Sequence, residues 1–175
     1  MIMVYNEKMN IGCHVSIAGG IEKAPKLAHE LGCEVMQIFT RSPQGGKVSE
    51  LAEKIIKVFK ENCKKYDVKN VYVHTPYFIN LASANNKIYY GSIGAIKTEL
   101  ERASALGVKY VMTHLGSAKD LGEKESLKKV AEGLDKILDD YKDSAKLLIE
   151  NSAGAGEIMG ANFEQIGKIL SSTSD

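Results

Sequence analysis

Tryptophan is absent from this chain of 175 residues, and cysteine is scarce. The three cysteines, at positions 13, 33 and 63, form no C-x-x-C pair, which excludes a zinc-finger type of site. So few cysteines fit a reducing compartment better than a secreted, disulfide-bonded protein. Apolar runs of the roughly 20 residues needed to cross a bilayer are also missing, and residues 1–9 lack the pattern of a signal peptide. We therefore expect a cytoplasmic protein with no membrane partner.

An excess of charge of either sign is missing too. The chain has 23 basic and 22 acidic residues and a net charge of +1, so any contact with nucleic acid needs locally concentrated positive charge. The lysine-rich stretches 54–69 and 119–136 contain acids at helical spacing, which favours solvated helix faces. With no linker in sight, we expect a single domain over residues 1–175, with residues 1–9 as a candidate loose extension.

One unit repeats along the chain: a short apolar, β-branched run, a polar or glycine-containing loop, and a longer segment with helical periodicity. The predicted strands are 10–15, 34–39, 70–73, 108–113 and 146–149, and the predicted helices are 20–31, 49–66, 87–106, 124–141 and 162–170. Strands this apolar predict a parallel sheet buried on both faces.

Strict alternation of strands and helices is typical of two α/β architectures, the (β/α)₈ TIM barrel and the doubly wound open sheet. The chain holds about five βα units, whereas eight units of this size need roughly 280 residues. Length alone therefore favours the open sheet, and a barrel assignment implies an incomplete barrel.

Three of the predicted strands run directly into a residue that can bind a metal: His74, His114 and Glu150. The spacings of 40 (114 − 74) and 36 (150 − 114) residues each correspond to about one βα unit. Corresponding ends of neighbouring parallel strands lie close together, so two imidazoles and a carboxylate there predict a site for zinc or iron. A single histidine in this position is more often a hydrogen-bonded structural residue, and a single glutamate often caps the next helix.

Glycines at 154, 156 and 160 follow the fifth strand and resemble a relaxed dinucleotide-binding fingerprint. The next helix is predicted to begin near Asn162, after the glycines, and Glu150 would direct a carboxylate toward a pyrophosphate. The sequence therefore favours a metal site over a nucleotide cofactor.

The strand-end blocks also carry a family resemblance. IGCHVSIAGG at 11–20, QIFT at 37–40, HTPYFINLAS at 74–83, HLGS at 114–117 and IENSAGAG at 149–156 resemble, in order and spacing, the motifs of the endonuclease IV family of apurinic/apyrimidinic endonucleases. The blocks extend over essentially the whole chain, which makes the resemblance far more specific than a single short motif.

The resemblance implies a (β/α)₈ barrel with up to three Zn²⁺ ions, which hydrolyses the phosphodiester 5′ to abasic sites in double-stranded DNA. It implies that His74, His114 and Glu150 bind the first zinc, and that Glu150 is also catalytic because it bridges to the second. A complete member of the family is expected to be a monomer.

The resemblance further implies DNA contacts. Tyr77 and Phe78 match a loop that enters the minor groove in the family. In the loop after the second strand the family usually carries an arginine and often a tryptophan, whereas this chain has Gln44 and Lys47, so one groove contact departs from the pattern. Basic residues in or near strand-end loops are candidate phosphate contacts: Arg41, Lys47, Lys87 and Lys119.

The family continues with strands that bear an Asp-x-x-His pair and further ligands, and these strands have no counterpart in the sequence. We therefore expect about five βα units of an incomplete barrel, ligands for one zinc, little nuclease activity from this chain alone, and open edge strands prone to aggregation or pairing. Two alternatives stay open: a metal-dependent sugar isomerase or epimerase of the related barrel family, and a non-catalytic half-barrel that binds metal, DNA or a complementary half.

Overall fold

A computed structural model describes residues 9–46 and 48–174 of the chain. Within these residues five strands alternate with five α-helices, and the elements lie within or close to the predicted segments. The strands are β1 (Gly12–His14), β2 (Val35–Ile38), β3 (Asn70–His74), β4 (Tyr110–Thr113) and β5 (Lys146–Ile149). The helices are α1 (Ala24–Glu30), α2 (Glu53–Lys65), α3 (Asn86–Leu106), α4 (Gly122–Leu138) and α5 (Phe163–Leu170).

The strands are all parallel and lie in the sheet in their chain order, β1-β2-β3-β4-β5. A doubly wound sheet reverses its strand order at a switch point. Because the order is consecutive throughout the described residues, the open-sheet alternative is wrong and the sheet is an arc of a TIM barrel.

The hydrophobic core lies between the sheet and its helices. Alternate strand residues such as Met36, Val73 and Val111 point toward the helices and are almost fully buried. They pack with the apolar faces of α3 and α4, to which Leu100 and Leu134 belong. Such alternation is expected when consecutive side chains of a strand point to opposite faces.

The prediction that the strands are buried on both faces is wrong for the edges of the arc. All three residues of β1 are exposed, and β5 is exposed or half-buried along its length. The inner face also carries half-buried Gln37, Tyr72 and Met112. Within residues 9–46 and 48–174 no further strand faces this surface, so the concave side of the arc stays open.

The start of α5 agrees with the sequence. The Asn162 side chain accepts a hydrogen bond of 2.8 Å from the Gln165 backbone N–H, as an N-cap does. The glycines at 154, 156 and 160 therefore precede the helix, which does not match a dinucleotide-binding turn. Within the part of the chain that the structure describes, no helix combines the length and apolarity that crossing a bilayer requires.

Candidate metal centre

Three potential metal ligands meet at the carboxyl edge of the sheet. His74 is the last residue of β3, His114 follows β4, and Glu150 follows β5. The nearest carboxylate oxygen of Glu150 is 3.0 Å from Nε2 of His74 and 3.9 Å from Nε2 of His114. One ligand atom from each residue lies within 4.8 Å of the others. The predicted convergence of these three side chains is therefore present.

The strand ends are staggered, whereas the sequence predicted that the three ligands lie at corresponding ends of neighbouring strands. His74 pairs with Met112, so His114 lies two residues further along its strand. His114 and Glu150 are level with each other, because Thr113 pairs with Ile149. The three still share one face because side chains alternate with a period of two, and such a stagger is what tilted barrel strands require.

A backbone carbonyl orients the His74 ring. Nδ1 of His74 donates a hydrogen bond of 2.6 Å to the Thr75 carbonyl oxygen, so in the neutral imidazole Nε2 carries the lone pair that faces the Glu150 carboxylate. Two acceptor atoms 3.0 Å apart repel each other unless a cation or a proton lies between them. Metal-binding histidines typically have this arrangement, with the second ring nitrogen held by a carbonyl. The donor set of two imidazoles and one carboxylate fits a zinc ion.

The three ligands differ in their access to solvent. Only 8% of the His74 side chain is exposed, against 36% for His114 and 38% for Glu150. The rings of His74 and His114 lie edge to face, with centroids 5.0 Å apart. The site is thus walled by protein on the β3 side and open toward β5, which leaves Glu150 accessible to a second cation or to a substrate.

The predicted DNA-contacting aromatic residues lie at the rim of this centre. Tyr77 and Phe78 are 61% and 42% exposed. The Tyr77 ring lies edge-on to Phe39, at 5.2 Å, and 6.3 Å from the His74 ring. A cleft of about 440 Å³ between the loops after β3, β4 and β5 is lined by Tyr77, Phe78, His114 and Ile158.

The remaining predicted contacts lie in different environments. Gln44 is exposed in the turn after β2, Lys87 is exposed at the start of α3, and Lys119 is exposed in the short 3-10 helix (Ala118–Asp120) after β4. Lys47 lies outside the described residues. The Arg41 side chain is only 11% exposed and points toward a buried carboxylate, so we no longer expect Arg41 to contact a phosphate.

Two polar residues of structural interest were missed by the sequence analysis. His14, at the end of β1, donates a hydrogen bond of 2.7 Å from Nδ1 to the side-chain oxygen of Gln37, and its ring centroid is 6.5 Å from that of His74. A histidine within the predicted strand 10–15, one residue before its end, was the available signal. The other is Glu99, a fully buried acid on α3, whose position on the apolar stripe of that helix was visible in the sequence.

A family model described as "Xylose isomerase-like TIM barrel" matches residues 25–175. The chain belongs to this family. Among curated proteins it is 34% identical over 167 residues to "Probable endonuclease 4" of Halothermothrix orenii, covering 95% of this chain and 60% of that protein. It is 39% identical over 164 residues to the protein of the same name from Nitrosopumilus maritimus, covering 93% of this chain and 58% of that one. The resemblance to endonuclease IV is therefore confirmed.

Solved structures agree with this placement. The crystal structure of endonuclease IV from Thermus thermophilus has a TM-score of 0.83 and 31% identity, covering 94% of this chain and 60% of that chain. A D-tagatose 3-epimerase-like protein has a TM-score of 0.70 at 22% identity, covering 94% and 62%, and shows only that the fold is shared. The chain spans about 60% of the length of the curated relatives it matches.

Proposed function

We propose that this chain acts in a metal-dependent apurinic/apyrimidinic endonuclease, which hydrolyses the phosphodiester 5′ to abasic sites in double-stranded DNA. The observation that carries the proposal is the meeting of His74, His114 and Glu150 at one edge of the sheet, in a chain whose relatives are named as endonucleases. The carboxyl edge of the strands is where TIM barrels hold their active sites.

In this proposal His74, His114 and Glu150 hold one zinc ion, and Glu150 is also the catalytic residue that would bridge to a second. A bound zinc ion polarises a phosphoryl oxygen and lowers the pKa of water. The chain's own residues do the positioning: the Thr75 carbonyl keeps Nε2 of His74 directed at the site. The exposed side of Glu150 keeps its carboxylate available beyond the first ion.

The proposed partner is duplex DNA with a missing base. Tyr77 and Phe78 present apolar, exposed rings within reach of the metal centre, and such rings can enter the gap that a missing base leaves in the stack. Gln44 lies in the neighbouring exposed turn and is proposed to contact the same groove. Lys47, Lys87 and Lys119 are proposed to contact phosphates.

The ligands identified within the described residues suffice for one zinc ion. We therefore propose that the 175-residue chain by itself binds zinc and abasic DNA but cleaves it little or not at all. We also propose that the chain forms a single domain, which a single cooperative unfolding transition would test, and that the whole protein is a cytoplasmic monomer. Size-exclusion chromatography tests whether the chain instead self-associates through its open edges.

Zinc binding is the first test. A competition titration with a chromophoric chelator should give one zinc ion per chain. His114→Ala should weaken binding by at least about 100-fold, the upper end of what losing a group that only orients a ligand costs. His29→Ala, an exposed histidine on α1, is the matched control and should bind as the parent does. Equal zinc affinity in both variants would remove the metal centre from the proposal.

DNA binding is the second test. A gel-shift assay should show that the zinc-loaded chain prefers an abasic duplex to an intact duplex of the same sequence. Tyr77→Ala should reduce that preference, whereas Tyr90→Ala, which removes an equally exposed tyrosine from α3, should not. Equal affinity for both duplexes would argue against an abasic-site function, and turnover of a free ketose without DNA binding would favour the sugar epimerase alternative.

A further inference from the structure

The loop after β2 and the loop after β3 form one connected surface. The backbone N–H of Tyr77 donates a hydrogen bond of 3.1 Å to the carbonyl oxygen of Pro43. The guanidinium carbon of Arg41 lies 5.5 Å from the centre of the Phe78 ring, within the range of a cation–π contact. A methyl group added at Gly45, which has a φ of 95°, would lie 3.5 Å from the same ring. The two loops therefore meet at Phe78.

A buried acid lies beneath this contact. Glu99 of α3 has no solvent exposure. Its Oε2 accepts a hydrogen bond of 2.6 Å from the Thr40 hydroxyl, and its Oε1 is 2.9 Å from Nε of Arg41. Nε of Arg41 and Oε1 of Glu99 both lack a hydrogen-bond partner of good geometry, which indicates that the Arg41 N–H is not aligned with the carboxylate. The pair therefore attracts mainly through charge.

A second arginine, Arg102, also binds the loop after β2. Arg102, one turn after Glu99, donates from Nε to the Thr40 hydroxyl and from Nη2 to the Thr40 carbonyl oxygen, each at 2.7 Å. Its Nη1 donates to the Ser49 carbonyl oxygen, also at 2.7 Å. Arg102 thus joins the beginning and the end of the loop to one helix.

The energetic cost of burying the charges of Glu99 and its arginine partners indicates that these residues do more than fill space in the core. Burial raises the pKa of the Glu99 carboxyl, and the hydrogen bond from Thr40 and the charges of Arg41 and Arg102 oppose that rise. Burial likewise lowers the pKa of Arg102. A well-packed apolar side chain at such a position is often as stabilising as a buried ion pair or more so. An apolar residue, however, could not direct the Arg41 guanidinium.

We propose that Glu99 is a positioning residue which, through Arg41, holds Phe78 and the turn at residues 42–46 as one rigid rim beside the metal centre. The consequence for DNA rests on the proposed function: a rim ordered before binding loses less conformational entropy when it enters a groove. Glu99 itself touches neither the metal ligands nor the exposed surface. Its effect reaches the rim through the charge and orientation of Arg41.

The chain has no tryptophan, so Phe78→Trp supplies a single fluorescent reporter on the rim. In this background Glu99→Gln should raise the acrylamide quenching constant about two- to fivefold, the change expected when a cation–π contact on an exposed ring is lost. Glu101→Gln, an exposed acid on the same helix, is the matched control and should leave quenching unchanged. Circular dichroism confirms that each variant is folded.

A mutant cycle tests the route through Arg41. If Glu99 acts through Arg41, the double variant Glu99→Gln with Arg41→Met should be no more quenched than either single variant. Additive increases, or unchanged quenching in folded Glu99→Gln, would overturn the proposal. If Glu99→Gln does not fold, Arg41→Met in the Phe78→Trp background tests the proposal instead. Unchanged quenching in that variant would overturn it.

A DNA arm separates this inference from the proposed function. With Phe78 restored, Glu99→Gln should lower the affinity for an abasic duplex about two- to fivefold at an unchanged salt slope, because no phosphate contact is lost. If Glu99→Gln raises quenching but the parent chain binds no DNA, the nuclease proposal is refuted and the positioning role is left intact. Unchanged quenching in a chain that does bind abasic DNA would refute the positioning role alone.

Discussion

Replacing Gly116 by alanine should disrupt the loop that follows His114. Gly116 has a φ of 102°, a conformation that residues with a side chain rarely adopt. A methyl group there would clash with the Asn80 side-chain oxygen and lie 2.6 Å from the Asn80 Cα atom. That oxygen accepts hydrogen bonds from the backbone N–H groups of Ala82 (3.0 Å) and Ser117 (3.2 Å). The substitution therefore destabilises the fold in three ways: it strains the backbone, it forces a contact with Asn80, and it disturbs two hydrogen bonds.

The magnitude follows from these contacts. A strained backbone conformation costs about 1–3 kcal/mol, and turning the Asn80 amide away loses two hydrogen bonds worth about 0.5–1.5 kcal/mol each. Turning the side chain does not relieve the contact with Cα, so the loop backbone must also move. Gly116→Ala should thus lower the free energy of unfolding by about 2–6 kcal/mol, a large part of the roughly 5–15 kcal/mol of a typical domain.

Urea denaturation followed by circular dichroism measures this change, with Gly91→Ala as the control. Gly91 lies inside α3 with open space where a methyl group would be, so alanine there should stabilise the chain by about 0.5–1 kcal/mol. The zinc affinity of Gly116→Ala should also fall, since the loop begins at His114. Equal urea denaturation midpoints for Gly116→Ala and the parent would show that the loop accommodates the methyl group without cost, and would refute the prediction.

Three further outcomes are expected. Glu150→Gln should keep the fold but weaken zinc binding at least about tenfold in the chelator competition, because a neutral amide replaces the carboxylate; unchanged affinity would exclude Glu150 as a ligand. Burial raises the pKa of the Cys63 thiol to about 11, so alkylation of this thiol should be slow at pH 8 and accelerate as the pH rises. The free energy of unfolding should fall between about pH 9 and 11, because the thiol of the unfolded chain loses its proton first. Rapid labelling of the folded chain at pH 8 would contradict this prediction. Asn85→Ala should cost about 1 kcal/mol in urea denaturation, because the Asn85 side chain caps α3 by accepting two backbone N–H groups, whereas Asn86→Ala one residue later should change stability by less than about 0.5 kcal/mol.

Much of the fold could be predicted from local pattern. Short apolar runs and helical periodicity located each of the five strands and five α-helices of the described residues to within a few positions, and the N-cap at Asn162 was recognised from residue type alone. The predicted start of α2, at residue 49, lay four residues before its first helical residue, Glu53. Ser49 instead uses its carbonyl oxygen to accept from Arg102, a long-range contact that local periodicity does not report.

The ligand set could be predicted because each member ends or directly follows an apolar strand, and parallel strands bring their ends together whatever the detailed register. His74, His114 and Glu150 were therefore identifiable from spacing before any coordinates. Their stagger was not, because the shift between β3 and β4 belongs to the pairing of two strands and leaves no trace in either strand alone.

The sequence by itself determined the alternation of strands and helices, the residues that end the strands, and hence the chemistry available at the edge of the sheet. Only the tertiary structure decided between an open sheet and an arc of a barrel, and only it showed that Arg41 turns inward to Glu99 while Tyr77 and Phe78 stay exposed. The physical reason is range. Periodicity is set by neighbours within a few residues, whereas strand order and the pairing of residues 40 and 99 depend on contacts between segments far apart in the chain.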